Sequence, residues 1–392
     1  MRVLHVITGL GVGGAEQQLR LVLRQLTATC DVVTLTNPGA VAEGLTADGV
    51  EVKHLGMAGN RDLSALPRLT RLIRQGRYDL VHTHLYRACL YGRAAARIAG
   101  VRAVVATEHS LGAATIEGRP LGAGVRALYL ASERLGTSTV AVSATIARRL
   151  REWGVPARRI HVVPNGIDAT RFRFDPVVRS QARTLLALPQ DAYVIGGVGR
   201  LVAGKRFDTL VRALPHLPGA RLLLVGGGEQ EAALRALAAR LGVAGRVRFA
   251  GECAYEGASG GLDLPTLLAA MDVLASPSTD EAFGLAVVEG LAAGLPVVYA
   301  TCPAVDDLPP GQAPGAVRAD TAGFTDALRA VRDSAAGRLP VPPAVEHYTI
   351  AAAAARLTAV YEAALHGTTP VLNQRDQRVP TDPSVTSGVS AR

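Results

Sequence analysis

Short runs of consecutive apolar residues alternate along this chain with longer stretches in which apolar positions recur every three to four residues. Val3–Thr8, Val32–Thr36, Val50–Leu55, Leu80–His84, Ala103–Thr107, Thr139–Ser143 and His161–Pro164 read as buried strands. Between them lie stretches of helical period: the segment from Ala15 carrying Leu19, Leu23 and Leu26, then Leu63–Gln75 and Arg87–Ala99. A second series follows, with strands Tyr193–Val198, Arg221–Val225, Val247–Ala250, Val273–Ser276 and Pro296–Ala300 and helices Phe207–Leu214, Gln230–Leu241, Leu264–Ala270 and Leu285–Ala293. Fully apolar strands alternating with helices predict parallel sheets covered on both faces. The expected fold class is therefore α/β, with two Rossmann-like, doubly wound parallel-sheet domains.

The stretch between the two series is richer in charge, Phe and Pro. It places an interdomain linker at 171–192, between a first domain at 1–170 and a second at 193–345. Pro340, Pro342 and Pro343 break the chain before a last helix, about Ile350–Leu365 within 346–367. The tail 368–392 has no apolar periodicity and is expected to be disordered.

With 392 residues, 48% hydrophobic and 19% charged, the chain can bury two substantial cores. Aromatics make up 4%, too few for stacking platforms, so nucleic acid is not an expected partner. The net charge of +9 is concentrated in residues 1–190, which hold 25 Lys and Arg against 13 Asp and Glu. Such a half suits an anionic acceptor or peripheral contact with a membrane surface, and equally a solvated face. Four well-separated cysteines, Cys30, Cys89, Cys253 and Cys302, form no CxxC pair and read as reduced thiols. Met1–Leu10 imitates a short signal segment but has no positive region beyond Arg2, and no run of 18 apolar residues occurs. The expected location is cytoplasmic, with any membrane contact peripheral at the inner face.

Four patches carry chemistry. Glu281 and Glu289 stand eight positions apart, around a Phe283-Gly284-Leu285 turn that enters a helix. The amides of these three residues at the helix N-terminus make an anion site, because they are unpaired and the helix dipole is positive there. Arg200 and Lys205 flank a Gly-containing loop after the first strand of the second domain, and both cations can reach one diphosphate. Lys205 is one of only two lysines, the other being Lys53. Gly9, Gly11, Gly13 and Gly14 follow the first strand, where backbone can approach a ligand closely. His109 closes a strand of the first domain at its carboxyl edge, where open sheets bind ligands. His82 and His84 share one side of their strand, but no third ligand for a metal is evident in the sequence.

These residues resemble those of retaining glycosyltransferases with the GT-B fold, family 4 in particular. Glu281 to Glu289 is similar to that family's Glu-x7-Glu segment, Gly199-Arg200 with Lys205 to its phosphate-neutralising pair, and Gly13-Gly14-Ala15-Glu16 to its donor-facing loop. The resemblance spans about residues 1–366. It implies two domains facing a cleft and a terminal helix that crosses back to the first domain. It also implies transfer of a sugar from a nucleotide diphosphosugar to an acceptor hydroxyl with retained configuration. By the same resemblance, Glu281 holds the donor sugar hydroxyls, Glu289 the ribose, and His109 points at the reaction centre. Gly13, Gly14, Arg200, Lys205, Phe283, Gly284 and Leu285 would contact the phosphates or sugar. No Asp-x-Asp string occurs, so neither a metal nor another cofactor is demanded. Two departures stand out: an enlarged loop over 252–263, and Thr301–Pro310 where a Gly-Gly-x-x-Glu segment is expected. A nucleotide-sugar epimerase and a non-catalytic nucleotide-sugar sensor stay open as alternatives, and the acceptor is unknown.

Overall fold

The computed structural model describes residues 1–59, 61–117, 119–255, 262–335 and 337–372. Strands β1 (Arg2–Ile7), β2 (Thr29–Thr34), β3 (Glu51–His54), β4 (Leu80–His84) and β5 (Ala103–Glu108) come first. A small antiparallel hairpin, β6 (Thr115–Ile116) and β7 (Arg119–Pro120), precedes β8 (Ser138–Ala141) and β9 (Ile160–Val162). The first sheet has the order β3-β2-β1-β4-β5-β8-β9, with every pair parallel.

The second sheet is built from β10 (Val194–Val198), β11 (Arg221–Val225), β12 (Val247–Gly251), β13 (Val273–Ser276), β14 (Val297–Tyr299) and β15 (Ala316–Arg318). Its order is β12-β11-β10-β13-β14-β15, again all parallel. In each sheet the winding direction reverses beside the first strand, at β1/β4 and at β10/β13. Those reversals open a crevice at the carboxyl ends of the strands, where two helices diverge. The expected pair of doubly wound parallel-sheet domains is what the chain forms.

Strands β4 and β5 are buried along their whole length, as sheets covered on both faces require. Helix boundaries follow local chemistry. Ser143, Asp175, Asp263 and Thr349 each cap a helix by accepting a backbone N–H, and Gly367 ends the last helix in a left-handed conformation.

That last helix, Ile350–His366, lies on the first sheet. Its Leu357, Val360, Tyr361 and Ala364 pack with Val3, Leu80, Ala103 and Val105. The 171–192 segment, expected only as a linker, holds the helix Pro176–Leu185, fastened to the second domain by Arg183. The fully buried Arg183 guanidinium donates to the carbonyls of Ala270, Pro189, Gln190 and Ala192 and to Asp272 at 2.8 Å. Strand β15 and the helix Phe324–Asp333 had no counterpart in the sequence pattern. The strand is three residues long and mostly exposed, so it leaves no apolar run. Within the 252–263 loop, Glu256–Gly261 lies outside the described residues, as does 373–392 of the tail; Leu372 packs against the first domain. Among the described residues no helix is long and apolar enough to cross a membrane.

Candidate active site

The loop after β13 meets the loop after β10 at the switch point of the second sheet. The Ser278 hydroxyl donates to the carbonyl oxygens of Gly204 and Asp280, each at 3.2 Å. This tie sets Lys205 against Glu281, with Nζ to Oε1 at 2.5 Å. Side-chain exposures of 29% and 13% leave the pair accessible from the cleft. Arg200, on the same loop as Lys205, is exposed and makes no ion pair among the described residues.

Glycines allow this loop its shape. Gly226 and Gly228 have φ of +129° and +151°, and a Cβ on either would meet the Gly199 or Leu201 carbonyl at 2.1 and 2.5 Å. The glycine turn after β11 is thus pressed against the backbone that carries Arg200.

The helix Leu285–Ala292 begins with Gly284 at φ +99° and has no side-chain cap. Val287 and Val288 donate to the Gly284 carbonyl, whereas the N–H groups of Phe283, Gly284, Leu285 and Ala286 have no acceptor among the described residues. Four open amides at a helix N-terminus make a site for an anion. The segment 301–310 braces this end: Cys302 lies against Gly284, and Ala304 N–H donates to Phe283 O at 2.9 Å.

Across the cleft, Gly14 stands opposite Leu285, whose Cδ1 would be 3.2 Å from a Cβ on Gly14. Gly13 is the extended N-cap of the helix Gly14–Leu23. Glu16 and Glu117 of the first domain both feel the charge of Arg200 from the second, and burial raises both carboxyls above their ordinary range. Glycine-rich and cationic loops from the two domains therefore converge.

Glu289 is placed differently from Glu281. It lies inside the helix, 4% exposed, and burial pushes its carboxyl up to about 7. The Tyr255 hydroxyl and the Arg171 charge offset only part of that effect. His109 is half-buried at the carboxyl edge of β5, and burial brings its imidazole down to about 4. His82 and His84 acquire the third imidazole that the sequence did not reveal. His5 on β1 is in register with His82, and the three rings could offer nitrogens within 4.8 Å of one another to a metal. Five of their six ring nitrogens are already within hydrogen-bond distance of another side chain, His5 Nε2 being the exception.

Several residues at the closed edge of the cleft carried no sequence signal. Asp280 binds Arg149 at 2.9 Å and accepts from Ala113 N–H at 2.8 Å, both in the first domain. Ser143 donates to Ala282 O at 2.7 Å, and Asp307 accepts from Thr145 N–H and hydroxyl at 3.0 and 2.8 Å. Partners more than 130 positions apart have no local pattern to betray them.

Comparison with known proteins agrees with this geometry. Residues 12–171 match the model described as Glycosyltransferase Family 4, and residues 192–333 match Glycosyl transferases group 1. D-inositol 3-phosphate glycosyltransferase 1 of Catenulispora acidiphila is 33% identical over 366 residues, covering 82% of each chain. The chain belongs to glycosyltransferase family 4. It is a glycosyltransferase of the GT-B fold. A D-inositol 3-phosphate glycosyltransferase of Mycobacterium bovis is 40% identical over 161 residues, which cover 40% of this glycosyltransferase and 31% of that protein. Among solved structures, Anabaena HepE in complex with UDP and glucose superposes with a TM-score of 0.80 at 21% identity, over 93% of this chain and 100% of that one. Sucrose-phosphate synthase from Thermosynechococcus elongatus gives 0.75 at 21% identity, over 94% and 100%.

Proposed function

We propose that this glycosyltransferase moves a sugar from a nucleotide diphosphosugar to an acceptor hydroxyl with retention of anomeric configuration. The observation that carries the reading is the meeting of Arg200, the Lys205–Glu281 pair and the four open amides of Phe283–Ala286 opposite Gly13 and Gly14. As the glycosidic C–O bond breaks, negative charge grows on the leaving diphosphate. Arg200, Lys205 and the amides are fixed donors for that charge, in place before the reaction begins. Without donor, Lys205 is neutralised by Glu281. An arriving phosphate competes for Lys205 and frees the Glu281 carboxylate to accept from sugar hydroxyls, so donor binding prepares both residues at once. Glu289 would accept from the ribose, and His109 stands on the acceptor side of the sugar.

UDP is the nucleotide to test first, since it occupies the related HepE structures. D-inositol 3-phosphate, for which the Catenulispora relative is named, makes a phosphorylated polyol a concrete acceptor. An anionic acceptor suits the first-domain wall, where the buried Arg87 Nε has no partner and Glu117 feels the charges of Arg119 and Arg87. The same basic excess also favours peripheral contact with an anionic membrane surface.

The test is turnover by the wild type and by Lys205→Ala and Glu281→Gln with a panel of UDP and GDP sugars. Removing a preorganised electrostatic contact to the leaving group should cost about 100-fold or more in kcat. No turnover of any donor by the wild type, or full activity in both variants, overturns the reading.

A further inference from the structure

Asp280, the residue before Glu281, is bonded through both carboxylate oxygens to the first domain. Oδ1 accepts from Arg149 Nη2 at 2.9 Å, and Oδ2 accepts from Ala113 N–H at 2.8 Å. The other end of the Arg149 fork, Nη1, donates to Leu111 O at 2.7 Å. One guanidinium thus bridges the Asp280 carboxylate and the base of the β6–β7 hairpin. The approach is close: a Cβ on Gly112 would stand 2.4 Å from Asp280 Oδ2. The hairpin itself is slight. Leu111 bridges Ile116, Gly112 N–H donates to Thr115 O at 2.8 Å, and each strand has two residues. So short a hairpin has little stability of its own, and its position depends on what it is fastened to.

Both ends of this contact lead to the cleft. In the second domain, the Asp280 carbonyl accepts from the Ser278 hydroxyl, which also donates to Gly204 O in the Lys205 loop. The residue after Asp280 is Glu281, the partner of Lys205. In the first domain, Leu111 comes two residues after His109. The hairpin also carries Glu117, whose carboxylate accepts from Tyr86 N–H at the start of the helix Tyr86–Ala99 and feels the charge of Arg200. The Arg149 and Asp280 side chains are 18% and 32% exposed. An ion pair so placed contributes little by charge alone; the directed fork and the Ala113 N–H are what fix its geometry.

We propose that Asp280 is a positioning residue that couples the donor side of the cleft to the acceptor side. Whatever fixes residues 278–281 also fixes the hairpin beside His109. The inference rests on the reading of Lys205 and Glu281 as donor residues. Asp280 acts through its contacts with Ala113 and Arg149, and not on the sugar. It keeps the wall formed by residues 109–117 in place while the donor is bound, so that an acceptor hydroxyl meets the sugar and water does not.

The experiment follows hydrogen exchange of amides 112–117 in the full chain, without ligand and with saturating UDP, while calorimetry measures UDP affinity. Without ligand, Asp280→Ala should quicken exchange at Ala113 roughly tenfold, one hydrogen bond's worth, at nearly the wild-type melting temperature. Asp280→Asn, which keeps its size and one acceptor oxygen, should fall between wild type and Asp280→Ala. UDP should slow these amides in the wild type and leave them unchanged in Asp280→Ala, although both proteins bind it with similar affinity. In turnover, Asp280→Ala should raise the ratio of donor hydrolysed to donor transferred about tenfold, at a nearly unchanged donor KM. Wild-type exchange at Ala113 in Asp280→Ala, or protection by UDP that persists in that variant, overturns the proposal. UDP that binds the wild type without slowing the hairpin sinks the coupling alone. If neither UDP nor GDP binds the wild type, the donor reading falls and the coupling falls with it.

Discussion

Replacing Glu289 with glutamine should make the ligand-free protein more stable at alkaline pH and nearly unchanged at acidic pH. Glu289 is 4% exposed, and burial raises its carboxyl from the ordinary 4.5 to about 7. Its folded-state affinity for a proton thus exceeds the unfolded one. The stabilising contribution is present in full below pH 4.5 and is lost as pH rises through 7. At about 1.36 kcal/mol per tenfold change in proton affinity, the whole loss is about 3 kcal/mol. Glutamine has the same shape and no charge to desolvate, so it escapes that loss. About 2–4 °C of melting temperature accompanies each kcal/mol in a domain of about 150–250 residues, so if the second domain melts as its own unit the gain is roughly 6–12 °C above pH 8. Glu108, also raised to about 7, titrates in both proteins and drops out of the difference. The assay is thermal unfolding of wild type and Glu289→Gln from pH 5 to 8.5 by circular dichroism. A melting difference that stays constant across this range refutes the reasoning, because a structural effect of the amide has no reason to follow pH.

Two further outcomes follow from the site. Gly284→Ala forces a Cβ to 2.5 Å from Cys302 Sγ at φ +99°, and should cost about 1–3 kcal/mol by denaturant melting. The added Cys302→Ala should recover only part of this, since the backbone strain persists. Asp307→Ala removes the second domain's acceptor for Thr145 N–H at the start of the helix Ala144–Trp153, a cap worth about 1 kcal/mol. Hydrogen exchange of amides 144–147 should quicken while the strands of the second sheet keep their protection; equal exchange in both proteins would refute the interdomain cap.

Much of the architecture was written locally. Apolar runs such as Leu222-Leu223-Leu224 and Val297-Val298 can be satisfied only in sheets covered on both sides, and the helices between them supply the cover. The loops proposed to hold phosphate were legible as candidates for a similar reason. A glycine at the start of a helix, or Arg and Lys across a short loop after a strand, has its chemistry fixed within a few residues. Short or exposed elements were not legible, as β15 shows, nor was the helix Pro176–Leu185, whose buried Arg183 reads as a surface cation until its five acceptors are seen.

The sequence by itself determined the two α/β domains, their parallel winding and which loops hold the charged and glycine-rich residues, because strand and helix periods act over a few positions. Only the tertiary structure decided how those loops meet. It set Lys205 on Glu281, sank Glu289 into its helix, joined the domains through Asp280 and Asp307, and drew His5 into line with His84 and His109. Each of these depends on register between distant strands or on the closure of one domain over another. Side chains brought together in that way leave no shared pattern along the chain.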